Sequence, residues 1–209
     1  MINSIRKFLF YCFRKLIPIN YFIEAIENEK INLNEQHCIK DASSILHKDA
    51  RIINLQKKRA QIRIGKNCII RGELFVNEYG GEILIGNDSS IGENSKIWSG
   101  EKVTIGNRVH ISHNVNVIDT NTHSVDPVKR NLEYNEIFKT GNIHQKGDIK
   151  TASITIEDDV WVSFNVSILK GVVIGKGAVI AADTLITKDV PPFTMVAGNP
   201  ANIIKSVKN

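Results

Sequence analysis

Six aliphatic residues in succession fall at intervals of six, Ile156, Val162, Ile168, Ile174, Ile180 and Ile186, and the residues four further on are Val160, Val166, Val172, Ala178, Thr184 and Val190. A helix repeats every ~3.6 residues and a half-buried strand every ~2, so a sustained period of six describes neither alone. It describes a stack of short strands and corners, one of each per hexad. The same period runs earlier with phase breaks: Ile64, Ile70 and Val76; Ile85, Ile91 and Ile97; Ile105, Ile111 and Val117. If three hexads close one triangular coil, each aliphatic points inward and lies over its counterpart one coil on. Successive coils then pair as parallel strands about 4.8 Å apart around an interior of Ile and Val. A glycine after the aliphatic, as in Ile64-Gly65, Ile85-Gly86, Ile105-Gly106 and Ile174-Gly175, suits a tight corner where a Cβ clashes or φ turns positive. A β-sandwich would instead alternate, with turns roughly every 8 to 12 residues.

The 209 residues, 42% apolar with a net charge of +5, make one globular domain with a short appendage. No run of about 18 uncharged apolar residues spans a bilayer. Cys12, Cys38 and Cys68 are odd in number and widely spaced, which fits neither a disulfide framework nor a metal site and points to reduced thiols in a cytoplasmic setting. Basic residues crowd the first seventy positions, yet no stacking or zinc-finger motif accompanies them, so nucleic acid is not an expected partner.

Ile5, Phe8, Leu9, Cys12, Phe13, Leu16 and Ile17 recur at steps of three and four, with Arg6, Lys7, Arg14 and Lys15 largely opposite. That pattern predicts an amphipathic helix, capped by Asn3 or Ser4 and ended by Pro18. It either packs on the body of the protein or a neighbouring subunit, or lies on an anionic leaflet, giving peripheral membrane contact through residues 1–20. The expected organisation is a helical segment over residues 1–42 followed by the repeat domain over residues 43–205.

Between Val117 and Ile156 the period stops. A stacked coil accommodates such an insertion as a loop leaving a corner, and long loops on rigid scaffolds are often functional. Residues 119–153 form this excursion, and His123 stands near its start in the stretch Thr120-Asn121-Thr122-His123-Ser124-Val125-Asp126-Pro127.

The hexads over roughly residues 60–205 resemble the hexapeptide-repeat acyltransferases, and the T-x-x-H-x-x-x-P stretch resembles that of the galactoside, maltose and polysaccharide O-acetyltransferase group. The resemblance implies an all-β left-handed parallel β-helix, a homotrimer with sites between subunits, acetyl-CoA as co-substrate without a metal, and a sugar hydroxyl as acceptor. It also implies that His123 is the catalytic base. The chemistry needs such a group: a sugar hydroxyl is a poor nucleophile at neutral pH, and an imidazole, titrating near 6.5 in model peptides, takes its proton as it attacks the thioester.

Asp119 and Asp126 are near enough in sequence to orient the imidazole or to meet the acceptor. Asn94 and Asn114 on preceding coils, and Trp161 just after the excursion, complete the expected acceptor side. On the donor side the resemblance places the pantetheine arm along small residues at Ala181 and Ala182, with Thr187 and Lys188 at the next corner. Lys188 and Lys205 are candidates to neutralise the CoA phosphates. Phe164 stands where relatives often carry a small or polar residue, and Asp183 replaces a frequent Gly, so both shape the expected acyl channel. A surface-polysaccharide precursor as acceptor rests on the basic N-terminal helix, which would hold the enzyme near lipid-linked sugars. Alternatives are N-acetylation of an amino sugar or nucleotide sugar, and a non-catalytic trimerisation scaffold. A zinc site from His110, His113 and His123 would need three convergent ligands.

Overall fold

The computed structural model describes residues 19–208. The amphipathic helix expected before Pro18 lies outside the described residues. The described chain starts with helix α1 (Ile19–Gln36), inside the segment 1–42 but beyond Pro18, where the amphipathic pattern ends.

Eighteen short strands then wind six triangular coils. The first is β1 (Ile39–Lys40), β2 (Ile45–Leu46) and β3 (Arg51–Asn54), the second β4 (Ile62–Ile64), β5 (Ile69–Ile70) and β6 (Glu73–Val76). The third is β7 (Ile83–Ile85), β8 (Ser90–Ile91) and β9 (Lys96–Ser99), and the fourth β10 (Val103–Ile105), β11 (His110–Ile111) and β12 (Asn116–Ile118). After the excursion come β13 (Ile154–Ile156), β14 (Trp161–Val162) and β15 (Ser167–Leu169), then β16 (Val173–Ile174), β17 (Val179–Ile180) and β18 (Leu185–Ile186). Each strand pairs in parallel with its equivalent on adjacent coils, so three sheets form the faces of a prism.

The inward ladders are those the hexads require. Along the first sheet Ile64, Ile85, Ile105, Ile156 and Ile174 lie in register. Leu46, Ile70, Ile91, Ile111, Val162 and Ile180 run along the second, and Ile52, Leu74, Ile97, Val117, Ile168 and Ile186 along the third. All are buried, and their stacking supplies most of the apolar area withdrawn from water. Cys38 and Cys68 are buried free thiols in the same core, and burial pushes the Cys38 thiol up to about 11.

The corners resolve the two roles open to glycine. Gly65, Gly86 and Gly106 do not need positive φ; a Cβ on Gly86 would lie 2.7 Å from the Gly106 carbonyl carbon, so glycine is there for close approach between coils. The left-handed conformation falls two residues later, on Asn67, Asp88 and Arg108. Asn and Asp tolerate that conformation best after glycine.

Both ends of the stack are closed, because an open coil edge would offer unpaired backbone groups to other chains. At the start, buried Asn34 of α1 donates from Nδ2 to the Ala50 carbonyl and accepts from Ile52 N–H, each at 2.9 Å. At the end β19 (Thr194–Ala197) pairs with β17, and β20 (Asn202–Ser206) returns antiparallel over it. Among the described residues no helix is long and apolar enough to cross a membrane.

Candidate active site

The excursion leaves between β12 and β13, and its neck is closed by the Thr120–Thr151 bridge and by Ala152 N–H donating to the Asp119 carbonyl at 2.9 Å. It carries a helix, α2 (Pro127–Thr140), where the sequence suggested a loop. The local chemistry is that of a helix start and stop. Asp126 accepts from Val128 and Lys129 N–H at 2.9 and 3.0 Å, Pro127 opens the first turn, and Gly141 ends the helix at φ 88°. An N-cap Asp followed by Pro, with Gly after the last turn, is the signal that was available in the sequence.

α2 decides what meets His123. Glu133, on the second turn, accepts at Oε2 from His123 Nδ1 at 3.2 Å, and its two oxygens accept from Ser124 N–H at 3.2 and 3.0 Å. Tyr134, the next residue, stacks on the imidazole with ring centroids 4.6 Å apart. A carboxylate only accepts, so in the neutral imidazole Nδ1 carries the proton and Nε2 holds the free lone pair. Arg130 donates to the Ser124 and Val125 carbonyls, fixing the loop from the other side. Thr122, immediately before the histidine, has φ 62°, an uncommon conformation for a β-branched residue that the surrounding bonds must hold. Thr122 N–H donates to Thr120 Oγ1 at 3.0 Å, and Thr120 Oγ1 lies 3.2 Å from the Tyr79 hydroxyl.

Neither carboxylate proposed from sequence as partner of His123 has that role. Asp119 is fully buried and accepts from Ser99 Oγ (2.7 Å), Gly100 N–H (2.6 Å) and Glu101 N–H (3.1 Å). Burial raises its carboxyl above the ordinary range despite these donors. It braces the coil corner beneath the excursion, and Asp126, exposed at the start of α2, caps that helix. Glu133 was missed because nothing in the sequence sets a residue ten positions downstream beside His123 until α2 folds back.

The other candidates are distributed over the prism, and several of them follow one edge. Asn94 and Asn114 occupy corners between the second and third sheets with φ 58° each, and both line a groove of about 500 Å³ with Arg51, Arg71 and Lys96. Asn114 Nδ2 donates to Asn165 Oδ1 at 3.2 Å, and Asn165 Nδ2 to Asp183 Oδ1 at 3.0 Å. Phe164 stacks on His113 at the same corner, with centroids 5.3 Å apart, and half-buried Ala181 and Ala182 continue the edge after β17. Thr187 and Lys188 are exposed after β18, at the corner where the chain returns to the first sheet, and Lys205 is exposed on β20. Trp161 is 53% exposed on the second sheet, in register with His110. His123 lies instead in a cavity with Trp98 and Phe75 of the third sheet. The chain therefore assembles the histidine pair in one place and the small-residue edge in another. Among the described residues no group of three His, Cys, Asp or Glu is placed to hold a metal ion.

These features have counterparts among known proteins. The bacterial transferase hexapeptide model of six repeats matches residues 153–188. The 2,3,4,5-tetrahydropyridine-2,6-dicarboxylate N-acetyltransferase of Staphylococcus aureus is 54% identical over 52 residues, 25% of this chain and 22% of that enzyme. The matched stretch thus spans about a quarter of that relative's length. AntD, an N-acyltransferase from Bacillus cereus solved with dTDP and 3-hydroxybutyryl-CoA, superposes with TM-score 0.66 at 20% identity, over 85% of this chain and 87% of AntD. A hexapeptide-repeat containing acetyltransferase from Vibrio cholerae, also solved with acetyl-CoA, gives 0.58 at 27% identity over 88% and 82%. A maltose O-acetyltransferase from Clostridium difficile gives 0.52 at 22% over 89% and 75%. The fold is accordingly the left-handed parallel β-helix. The chain carries the hexapeptide repeat and the architecture of the hexapeptide-repeat acetyltransferases.

Proposed function

We propose that this protein transfers acetyl from acetyl-CoA to a hydroxyl of a saccharide, with His123 as general base and Glu133 as the residue that positions it. The observation that carries the proposal is the His123–Glu133 pair, which commits Nδ1 and leaves Nε2 available. In the reaction Nε2 takes the proton of the acceptor hydroxyl as its oxygen bonds to the thioester carbonyl carbon. When the tetrahedral adduct collapses, the carbon–sulfur bond breaks and the imidazolium returns that proton to the departing thiolate. The Glu133 carboxylate stabilises the transient imidazolium.

The edge formed by Phe164, Ala181 and Ala182 is the proposed donor surface for the pantetheine arm, with Thr187 and Lys188 at the following corner and Lys205 on β20 as the proposed contacts of the CoA phosphates. Because that edge and His123 occupy different places on one chain, we place the complete site between copies of a homotrimer, the edge of one facing the histidine of the next. The similarity to acetyl-CoA-bound relatives supports the donor. Membrane contact through residues 1–20 belongs to the same proposal, and unchanged vesicle association after their deletion would refute it.

N-acetylation is the second reading, favoured by the N-acyl transfer in the names of two relatives. Calorimetric titration of acetyl-CoA comes first, with saturation expected near one site per chain. Thiol release is then followed with galactose and maltose against galactosamine and glucosamine. Transfer to the neutral sugars that falls about 10²–10⁴-fold in His123→Ala, with acetyl-CoA affinity retained, supports the proposal. Transfer confined to the amines supports the second reading, and turnover unaffected by His123→Ala refutes the mechanism.

A further inference from the structure

Beside His123 is a cavity of about 180 Å³ between the outer face of the third sheet and the excursion. Phe75 and Trp98 are cross-strand partners on that face, and Ile137 of α2 and Ile143 after it line the cavity with them. We propose that this cavity holds the pyranose ring of the acceptor, with the Phe75–Trp98 pair as the wall on which it stacks. The proposal rests on acetyl transfer by His123 to a saccharide, and it names the residues that select the sugar.

The wall is built rather than incidental. The Phe75 and Trp98 ring centroids are 5.2 Å apart at 41°. Trp98 Nε1–H donates to Glu73 Oε1 at 2.7 Å, and the Lys96 ammonium is 5.5 Å from the indole centroid. An indole restrained by three neighbours loses little freedom when a ligand arrives, which favours binding through preorganisation.

The surroundings match one ligand chemistry. A pyranose turns a face of C–H groups outward and carries its hydroxyls around the rim. The C–H face suits the electron-rich face of an aromatic ring, and the rim needs a few placed polar groups. Asn77 and Asn142 line the same cavity, and the Asn77 amide is oriented by donating Nδ2 to the Ser99 carbonyl at 3.0 Å. A ring lying on the wall brings a hydroxyl toward His123, which lines the same open cavity. The proposed donor edge at Phe164, Ala181 and Ala182 is separate from this cavity, so the donor approaches from elsewhere. Trp98, and not Trp161, is then the tryptophan of the acceptor site. Trp98 lies on the outer face of β9, and only the folded excursion brings His123 beside it.

The chain has two tryptophans, so Trp161→Phe leaves Trp98 as the sole indole reporter. Titrating that variant with methyl β-galactopyranoside, maltose and N-acetylglucosamine should give a saturable fluorescence change with at least one sugar and none with thymidine. In steady-state assays Trp98→Ala should raise the acceptor KM tenfold or more, leave the acetyl-CoA KM within twofold, and be largely rescued by Trp98→Phe. No fluorescence response to any sugar overturns the proposal, as does an unchanged acceptor KM in a Trp98→Ala protein that melts like the parent. A response to thymidine alone would assign the wall to a nucleobase, and a rise in the acetyl-CoA KM alone would assign it to the acyl group; either overturns it. Saturable sugar binding without thiol release on any sugar or amino sugar supports the wall while refuting transfer, so the two failures are distinct.

Discussion

Glu133→Gln tests the candidate site most directly, because it preserves side-chain shape, removes the charge and leaves one oxygen to accept. At the observed 3.2 Å between Glu133 Oε2 and His123 Nδ1, a unit charge pair at an effective dielectric constant near 20 interacts by about 5 kcal/mol. The His123 and Glu133 side chains are 25% and 13% exposed. Solvent therefore screens part of that interaction, and glutamine retains a weaker acceptor for Nδ1–H, leaving a loss of roughly 1.4–3 kcal/mol. Since the imidazolium forms only during the reaction, the loss falls on the barrier, and kcat should drop about 10- to 100-fold with KM for acetyl-CoA nearly unchanged. The assay is thiol release at saturating acetyl-CoA and acceptor, with His123→Ala as the floor and a thermal melt as the folding control. A Glu133→Gln enzyme with parental kcat would show that the carboxylate does not serve the base. A uniform rise in KM at constant kcat would assign it to ground-state binding.

Three further expectations concern the scaffold. Ile156 is fully buried between Ile105 and Ile174, so Ile156→Ala should cost about 2–5 kcal/mol by denaturant unfolding, and a loss below about 1 kcal/mol would contradict the ladder packing. A Cβ on Gly106 would lie 2.5 Å from Asp158 Oδ1 and 2.8 Å from Asp158 N, and Gly106→Ala should destabilise by about 1–3 kcal/mol through forced separation of the coils; an unchanged melting temperature would refute close approach as the reason for glycine. Asp119→Asn should cost about 1–3 kcal/mol by mismatching its three donors, and the cost should vary with pH. Burial raises the Asp119 carboxyl, so the native state holds that proton to higher pH than the unfolded chain, and stability falls as pH rises from near 4 through the raised value. The advantage of the parent over Asp119→Asn should therefore be larger below that window than at neutral pH, and a constant difference between the two melting curves would refute the assignment.

The six-residue period indicates a stack of short parallel strands with every Ile or Val inward, because neither a helix nor an alternating strand repeats at six; the left hand of the coil follows from the family resemblance and not from the spacing. The period also marks residues 119–153 as the departure from the coil, while the choice of His123 within them rests on the resemblance of the T-x-x-H-x-x-x-P stretch to the sugar O-acetyltransferases. It did not extend to the first coil, where Cys38, Leu46 and Ile52 depart from the regular spacing, nor to α1. Tertiary structure alone decided the partner of His123, since Asp119 and Asp126 are nearer in sequence but are consumed by a buried corner and a helix cap. Glu133 arrives only because α2 turns back on the coil. The same folding places outward Phe75 and Trp98 in the lining of an open cavity beside His123. Periodic burial is a local property that every hexad repeats, whereas a site depends on distant segments meeting once, and sequence spacing carries no record of that meeting.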